Sequence, residues 1–438
     1  MKIHLPQKVN KIIRTLQSAG YEAFAVGGCV RDSILQREPD DWDITTSALP
    51  AQVKALFGHT IDTGIVHGTV TVMLGREGFE VTTYRIDGVY EDNRHPREVS
   101  FTGDLQEDLR RRDFTINAMA YNDTQGLVDV FGGIRDLEAK IIRCVGDPRE
   151  RFGEDALRMM RAVRFSAQLG FDVEEGTKEA VREQAPDLCH VSAERIQAEL
   201  VKLLCSPHPD YLRTAWELGI TAQILPEFDR AMKTPQNHPH HCYSVGEHIL
   251  HSLSAIEADR VLRLTMLFHD LGKPQCHTVD EKGLDHFKGH GAAGRDMADH
   301  IMTRLKFDNA TKEQVMKLVA YHDNCVAETP AGVRRAASKI GPDNFPLLLA
   351  VKRADAAAQS SYLQEEKRKK LDHLEEIYRE VKASSQCLTL KDLAVNGQDL
   401  IAAGIRPGPA MGEILKSLLE LVLEDPQCNT KEYLLTKI

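Results

Sequence analysis

Asp41 and Asp43 stand one residue apart in the stretch Asp41-Trp42-Asp43. On a strand, residues i and i+2 face the same way, so the two carboxylates share one face. Carboxylates at that spacing hold one or two Mg²⁺ ions against a triphosphate. An isolated Asp-x-Asp is more often a pair of solvated acids. Here it follows Gly27-Gly28-Cys29-Val30-Arg31-Asp32, where a short apolar run enters a glycine turn and a helix begins. Two glycines let the backbone come close to a ligand, amides at a helix start favour phosphate, and Arg31 adds a guanidinium fork. Together the two stretches read as a triphosphate site. Glu80, on the segment 79–84, is a third carboxylate for it.

Two arginine groups follow. Residues 108–118 read DLRRRDFTINA, with Arg110, Arg111 and Arg112 consecutive at the expected start of a helix. Such charge is costly unless anions neutralise it. Arg158, Arg161 and Arg164 recur every three residues and predict a stripe along one helix, with Asp155 one turn before Arg158. The plain alternative is a salt-bridged helix surface. Farther on, His248 is followed 21 residues later by His269-Asp270 within HDLGKP, then by His290, His322 and Asp355. Histidine with carboxylate suits Mn²⁺, Fe²⁺, Ni²⁺ or Zn²⁺ better than Ca²⁺. His238, His240 and His241 fall in a Pro-rich loop and are expected to be solvated.

The elements that must carry these residues divide the chain in two. Val9, Ile12, Ile13 and Leu16 mark a helix over 7–19, and Tyr21 to Val26 a strand. Val30 to Leu35 reads as helix and Trp42 to Thr46 as strand. Residues 68–74 and 79–84 alternate around GREG, the pattern of a hairpin. From about 150 onward the pattern is helical, with runs at 154–168, 194–204, 259–268 and 362–383. The expectation is α+β: a small mixed-sheet head followed by an all-helical neck, body and tail, with boundaries near 145, 205 and 385. A chain of 438 residues, 42% hydrophobic and 27% charged, is long enough for several cores. No apolar run of about 20 residues marks a membrane span. The net charge of −10 excludes a general basic coat but not a basic groove. Nine cysteines without a Cys-x-x-Cys pair read as free thiols in a reducing compartment, and so as a cytoplasmic protein.

GGCVRD at 27–32, DWD at 41–43, EVTTYR at 80–85, DLRRRDFTINA at 108–118 and EDALRMMRAVR at 154–164 occur in this order over the first 170 residues. The chain resembles the class II tRNA nucleotidyltransferases, the bacterial CCA-adding enzymes of the polymerase-β-like superfamily. The resemblance implies a catalytic head at 1–145, a base-reading neck at 146–205, a body at 206–384 and a tRNA-gripping tail at 385–438. It implies that Asp41 and Asp43, catalytic together with Glu80, bind Mg²⁺, and that Gly27, Gly28 and Arg31 hold the triphosphate. Arg112 and Asp113 would meet phosphate and ribose. Asp155 and Arg158 would read the base, supported by Arg161 and Arg164. The chemistry suits that role: cytosine and adenine present an amine beside a ring acceptor, which a carboxylate and a guanidinium match, whereas uracil and guanine present an oxygen and a ring N–H there. The implied partners are tRNA, CTP and ATP, with the chain a monomer or homodimer and no membrane involved.

The body is similar to the metal-dependent His-Asp phosphohydrolases. That likeness implies His248, His269, Asp270 and Asp355 as ligands of a transition metal such as Mn²⁺, Ni²⁺ or Fe²⁺. His290, His322 and Lys273 would serve a phosphate or a second ion. The segment 65–74, IVHGTVTVML, lacks the arginine-rich stretch of related poly(A) polymerases, and the loop 87–101 that CC-adding relatives lack is present. CCA addition is favoured, with A-only addition the alternative. Two further readings are a phosphohydrolase with a degenerate head and a non-catalytic RNA-binding module. The intact GGCVRD and Asp41/Asp43 oppose both.

Overall fold

A computed structural model describes residues 2–88, 99–384 and 386–438. Most of the loop singled out at 87–101 therefore lies outside the described residues. The chain forms two compact units, Met1–Ile224 and Leu225–Ile438. No described helix is long and apolar enough to cross a membrane.

The first unit is built on a seven-stranded mixed sheet, larger than the small sheet expected. Its strands are β1 (Ala23–Val26), β2 (Ile44–Thr46), β3 (Thr60–Gly64), β4 (Thr69–Leu74), β5 (Glu77–Thr83), β6 (Met119–Asn122) and β7 (Gly126–Asp129), in the order β3-β4-β5-β2-β1-β6-β7. Only β2 and β5 pair in parallel. The expected hairpin is β4–β5, closed at Gly75-Arg76. All four residues of β1 are buried, and the helix Gln7–Ser18 packs with Val9, Ile12, Ile13 and Leu16 buried. Phe24, Val26, Tyr84, Leu109, Ala118, Ala120 and Val145 form one core cluster.

Three local expectations change. Asp41, Trp42 and Asp43 lie just before β2 rather than within it, although the Asp43 carbonyl already accepts from Val26 N–H at 3.0 Å. The three arginines close the helix Leu105–Arg110 instead of opening one, because Asp104 caps its start through Gln106 N–H. The run 154–168 is split: Pro148–Glu154 and Leu157–Leu169 are separate helices, with Asp155 extended between them.

The second unit is helical, as expected, with one small exception, the strand pair Thr278–Val279 and Asp285–His286. Its helices Pro330–Ile340, Phe345–Ala357, Gln364–Ala383 and Pro409–Glu424 share an apolar core that includes Val333, Phe345, Leu374 and Val422. Gly272 follows His269-Asp270, and a Cβ there would stand 2.4 Å from the His290 carbonyl and 2.5 Å from Gly294 N. Only glycine permits this approach, which brings the His-Asp pair against the helix His290–Arg304.

Candidate active sites in the two units

The β2–β5 register pairs Ile44 with Val81, so one step back Asp43 stands level with Glu80. Asp41 joins them from the lead-in to β2. Asp43 is reachable by solvent yet set deep among protein atoms. That desolvation pushes its pKa up to about 6, against the pull of Arg112, and the charges of Asp41 and Glu80 push the same way. Three acids with one opposing guanidinium make a donor set that fits a divalent cation.

Arg112 links this set to the glycine turn. Gly27 has φ +85°, and a Cβ there would lie 3.0 Å from Arg112 Nη1. Glycine thus supplies both the left-handed turn and the room for Arg112. The buried Asp108 balances the arginines, with Arg111 at 2.8 Å and Arg112 at 3.7 Å, and accepts from Thr45 Oγ1 at 2.9 Å. Arg31 is not a free fork. It is buried, donates twice to Asp32 and once to Asn117 Oδ1 at 2.7 Å, and lies over the Phe165 ring.

The stripe on the helix Leu157–Leu169 is real, and each arginine has its own acid. Arg158 pairs with Glu154 and donates to the carbonyls of Arg151 and Arg111. Arg161 meets Asp113 at 2.6 Å, and Arg164 meets Glu199. Burial alone would raise Asp113; Arg161 outweighs it and brings the pKa down to about 2. Phe165 lies beneath Arg31, Arg161 and Arg164.

Asp155 and Arg158 each pair with another residue rather than with each other. Asp155 is held by both Nη atoms of Arg195, at 3.2 and 2.6 Å, from the helix Ala193–Leu204. Arg195 escaped the sequence reading. A signal existed in Glu199: an acid on the apolar face of that helix, beside Ile196, Leu200 and Leu203, needs a basic partner, which the structure supplies as Arg164.

In the second unit the sequence-picked histidines converge. His248, His269 and Asp270 form one potential ligand group; Asp270, His290 and His322 form another. Each Nδ1 faces a main-chain carbonyl: His248 that of Ala358, His269 that of Met266, His290 that of Phe287 and His322 that of Val319, at 2.7–3.3 Å. A carbonyl only accepts, so each Nδ1 carries the ring proton. Four Nε2 lone pairs then face inward. His290 and His322 bring theirs to 3.1 Å, and His248 lies 2.8 Å from Asp355 Oδ1. Acceptors facing acceptors repel unless a cation stands among them, so the donor set fits bound metal. One Asp270 oxygen faces His248 and His269, the other His290 and His322, at 3.4–3.6 Å. Lys273, 2.7 Å from Asp270, outweighs burial and holds that carboxyl well below the usual carboxylate range.

The loop histidines are not solvated. His241 is half-buried, its ring 5.5 Å from that of His248 and its Nδ1 enclosed without a hydrogen-bond partner. Burial, with Lys273 and His248, pushes its pKa down to about 3. His238 stacks on His240.

Comparison with known proteins finds family models over two parts of the chain. Residues 23–143 match the Poly A polymerase head domain, and residues 292–438 match tRNA nucleotidyltransferase domain 2. A CCA-adding enzyme of Lactobacillus helveticus is 36% identical over 95% of this chain and 92% of its own. One of Lactiplantibacillus plantarum is 35% identical over 98% and 95%. The chain belongs to the CCA-adding enzyme family. The crystal structure of the Bacillus stearothermophilus CCA-adding enzyme with CTP superposes with a TM-score of 0.76 at 32% identity, covering 98% of this chain and 96% of that one. The Thermotoga maritima CCA-adding enzyme complexed with tRNA, at 20% identity and a TM-score of 0.60, shares the fold. As a family member the protein is a nucleotidyltransferase that uses a divalent metal ion.

The raised Asp43 makes a testable stability difference. Its folded pKa of about 6 exceeds the ordinary aspartate value of 3.8, so stability present at low pH is lost as pH rises toward 6 and stays lost above it. Asp43→Asn is expected to melt higher than wild type at pH 7.5 in the absence of divalent ions. The gap should close below about pH 4. Thermal melts across pH with EDTA present check both points.

Proposed function

We propose that the chain adds and repairs the 3′-terminal CCA of tRNA, using CTP and ATP without a nucleic-acid template. The observation that carries this reading is the convergence of Asp41, Asp43 and Glu80 beside the Gly27 turn and Arg112, in a chain whose relatives are CCA-adding enzymes along its whole length. Mg²⁺ held by these acids supplies the charge that favours attack of the tRNA 3′-hydroxyl on the α-phosphate and departure of pyrophosphate. Gly27 and Gly28 bring main chain close to the triphosphate, with Arg31 fixing the turn. Arg112 and Asp113 meet phosphate and ribose. Asp155 accepts from the amine of C or A and Arg158 donates to the adjacent ring nitrogen, with Arg161 and Arg164 holding their helix in place. Arg195 orients Asp155. The proposed division is head 1–145, neck 146–205, body 206–384 and tail 385–438, in a cytoplasmic protein.

Incubation with tRNA lacking CCA, labelled CTP or ATP, and Mg²⁺ tests the activity. Asp41→Ala and Asp43→Ala are expected to abolish incorporation with tRNA affinity nearly unchanged. Near-normal incorporation by both removes the metal-site assignment.

Base reading makes its own prediction. Losing one partner leaves a base edge unpaired, at about 1–3 kcal/mol, or roughly ten- to a hundredfold in discrimination. Asp155→Ala, Arg158→Ala and Arg195→Ala should each raise UTP or GTP incorporation relative to CTP and ATP. An unchanged CTP-to-UTP ratio in all three means these residues only brace the fold.

The second site supports a second reading: a phosphohydrolase that uses Mn²⁺, Ni²⁺ or Fe²⁺ on His248, His269, Asp270 and Asp355, with His290 and His322 on a second ion. The inward-facing Nε2 set favours it. His269→Ala should remove phosphomonoester or cyclic phosphodiester hydrolysis and leave nucleotide addition intact. No hydrolysis by wild type with any of Mn²⁺, Ni²⁺, Co²⁺ or Mg²⁺ reduces the site to a scaffold.

A further inference from the structure

Beside the histidine cluster lies a cavity of about 480 Å³ whose wall includes Lys352, Lys367, Lys370, His322 and Asp355. Nothing in the nucleotide-adding site or the ligand set uses its lysines. Lys352 donates to the carbonyls of His322 (2.6 Å) and Asn324 (2.8 Å). Lys367 donates to Gln359 Oε1 (2.5 Å) and His240 Nδ1 (3.1 Å), and Gln359 in turn donates to Asp355 Oδ2. An ammonium has three N–H groups, so each of these lysines keeps one beyond its two bonds. Both are wired to residues of the metal cluster, one through His322 and one through Asp355. Every acceptor named for them is neutral. Of the acids in the wall, Asp355 belongs to the ligand set, which leaves Asp323 against three lysines; Lys370 also lies 3.6 Å from Glu328. Val326, Leu371 and Leu374 give the same cavity an apolar side.

We propose that this cavity is a second anion subsite, and that the His-Asp site acts on nucleoside bisphosphates, one phosphate over the ligand cluster and the other between Lys352 and Lys367. The inference rests on the phosphohydrolase reading and narrows its substrate class. In the reaction a water oxygen bonds to phosphorus and the ester P–O bond breaks. The leaving oxygen keeps the electron pair and takes a proton from that water, giving an alcohol and inorganic phosphate. The apolar side accepts the nucleoside, and the lysines neutralise the phosphate that is not cleaved.

With full-length, Mn²⁺-loaded protein, kcat/KM for adenosine 3′,5′-bisphosphate should exceed that for either adenosine 3′- or 5′-monophosphate by about tenfold or more, the effect of one well-placed ion pair. Lys352→Met and Lys367→Met should each reduce that ratio, mainly by raising KM for the bisphosphate, while Lys367→Arg retains it. A ratio near one in wild type, or a ratio that survives both Met variants, overturns the proposal. Calorimetry supplies a readout without turnover. Binding of the bisphosphate should contain a component that the Lys352→Met/Lys367→Met double variant loses, and identical binding by the two proteins overturns the subsite. If wild type hydrolyses none of the three compounds, the phosphohydrolase reading fails, and the calorimetric comparison alone decides whether the cavity takes a bisphosphate.

Discussion

Arg161 reaches from the helix Leu157–Leu169 to the buried carboxylate of Asp113, 2.6 Å away, on the segment that leads into β6. That pair ties the sheet to the helices that follow it. Around it the other arginines fall into place: Arg158 on Glu154, Arg164 on Glu199, Arg111 and Arg112 on Asp108. Buried guanidinium and carboxylate groups tolerate no partial solution. Arg164 and Glu199 are both almost fully enclosed, and loss of one partner from such a pair costs about 3–5 kcal/mol because the other is left as an unmatched charge. The charged groups around this helix are therefore held in matched pairs, and Phe165 gives three of the arginines a common surface.

The two chemical centres lie in different units and follow different logic. In the first, acids crowd together and leave a negative excess that a cation relieves. In the second, the main chain sets the pattern. Carbonyls at Met266, Phe287, Val319 and Ala358 fix the protonated face of each imidazole, so the basic nitrogens have one direction left. The ligand geometry is thus written partly in helix ends, where carbonyls are free to accept from side chains.

Much of this was legible in residue order. Motifs such as GGCVRD and HDLGKP bring their own local structure, and the alternation of β4 and β5 puts Glu80 on a strand level with Asp43. What escaped was non-local. The split at Asp155 follows Gly153, and the Asp155 side chain accepts from Leu157 N–H at the start of the next helix, but its ion-pair partner Arg195 lies forty residues on. The arginine run closes a helix because Asp104 starts it earlier. His241 looked like a loop histidine because nothing nearby in sequence encloses it, and its neighbour His248 shows itself only once the helix Val245–Ser254 forms.

The grip of Arg195 on Asp155 has a consequence in valence. A carboxylate offers about four lone-pair positions. Oδ1 takes hydrogen bonds from Arg195 Nη1 and from Leu157 N–H, and Oδ2 takes one from Arg195 Nη2. One position, on Oδ2, is left. On the proposed reading, the residue that meets the base is a receptor of unit capacity: it has room for a single N–H and nothing with which to satisfy a carbonyl. Cytosine and adenine differ in size and shape, yet each turns one of its two amine N–H groups toward the ring acceptor's edge. A single vacant lone pair lets one side chain treat a pyrimidine and a purine as equivalent.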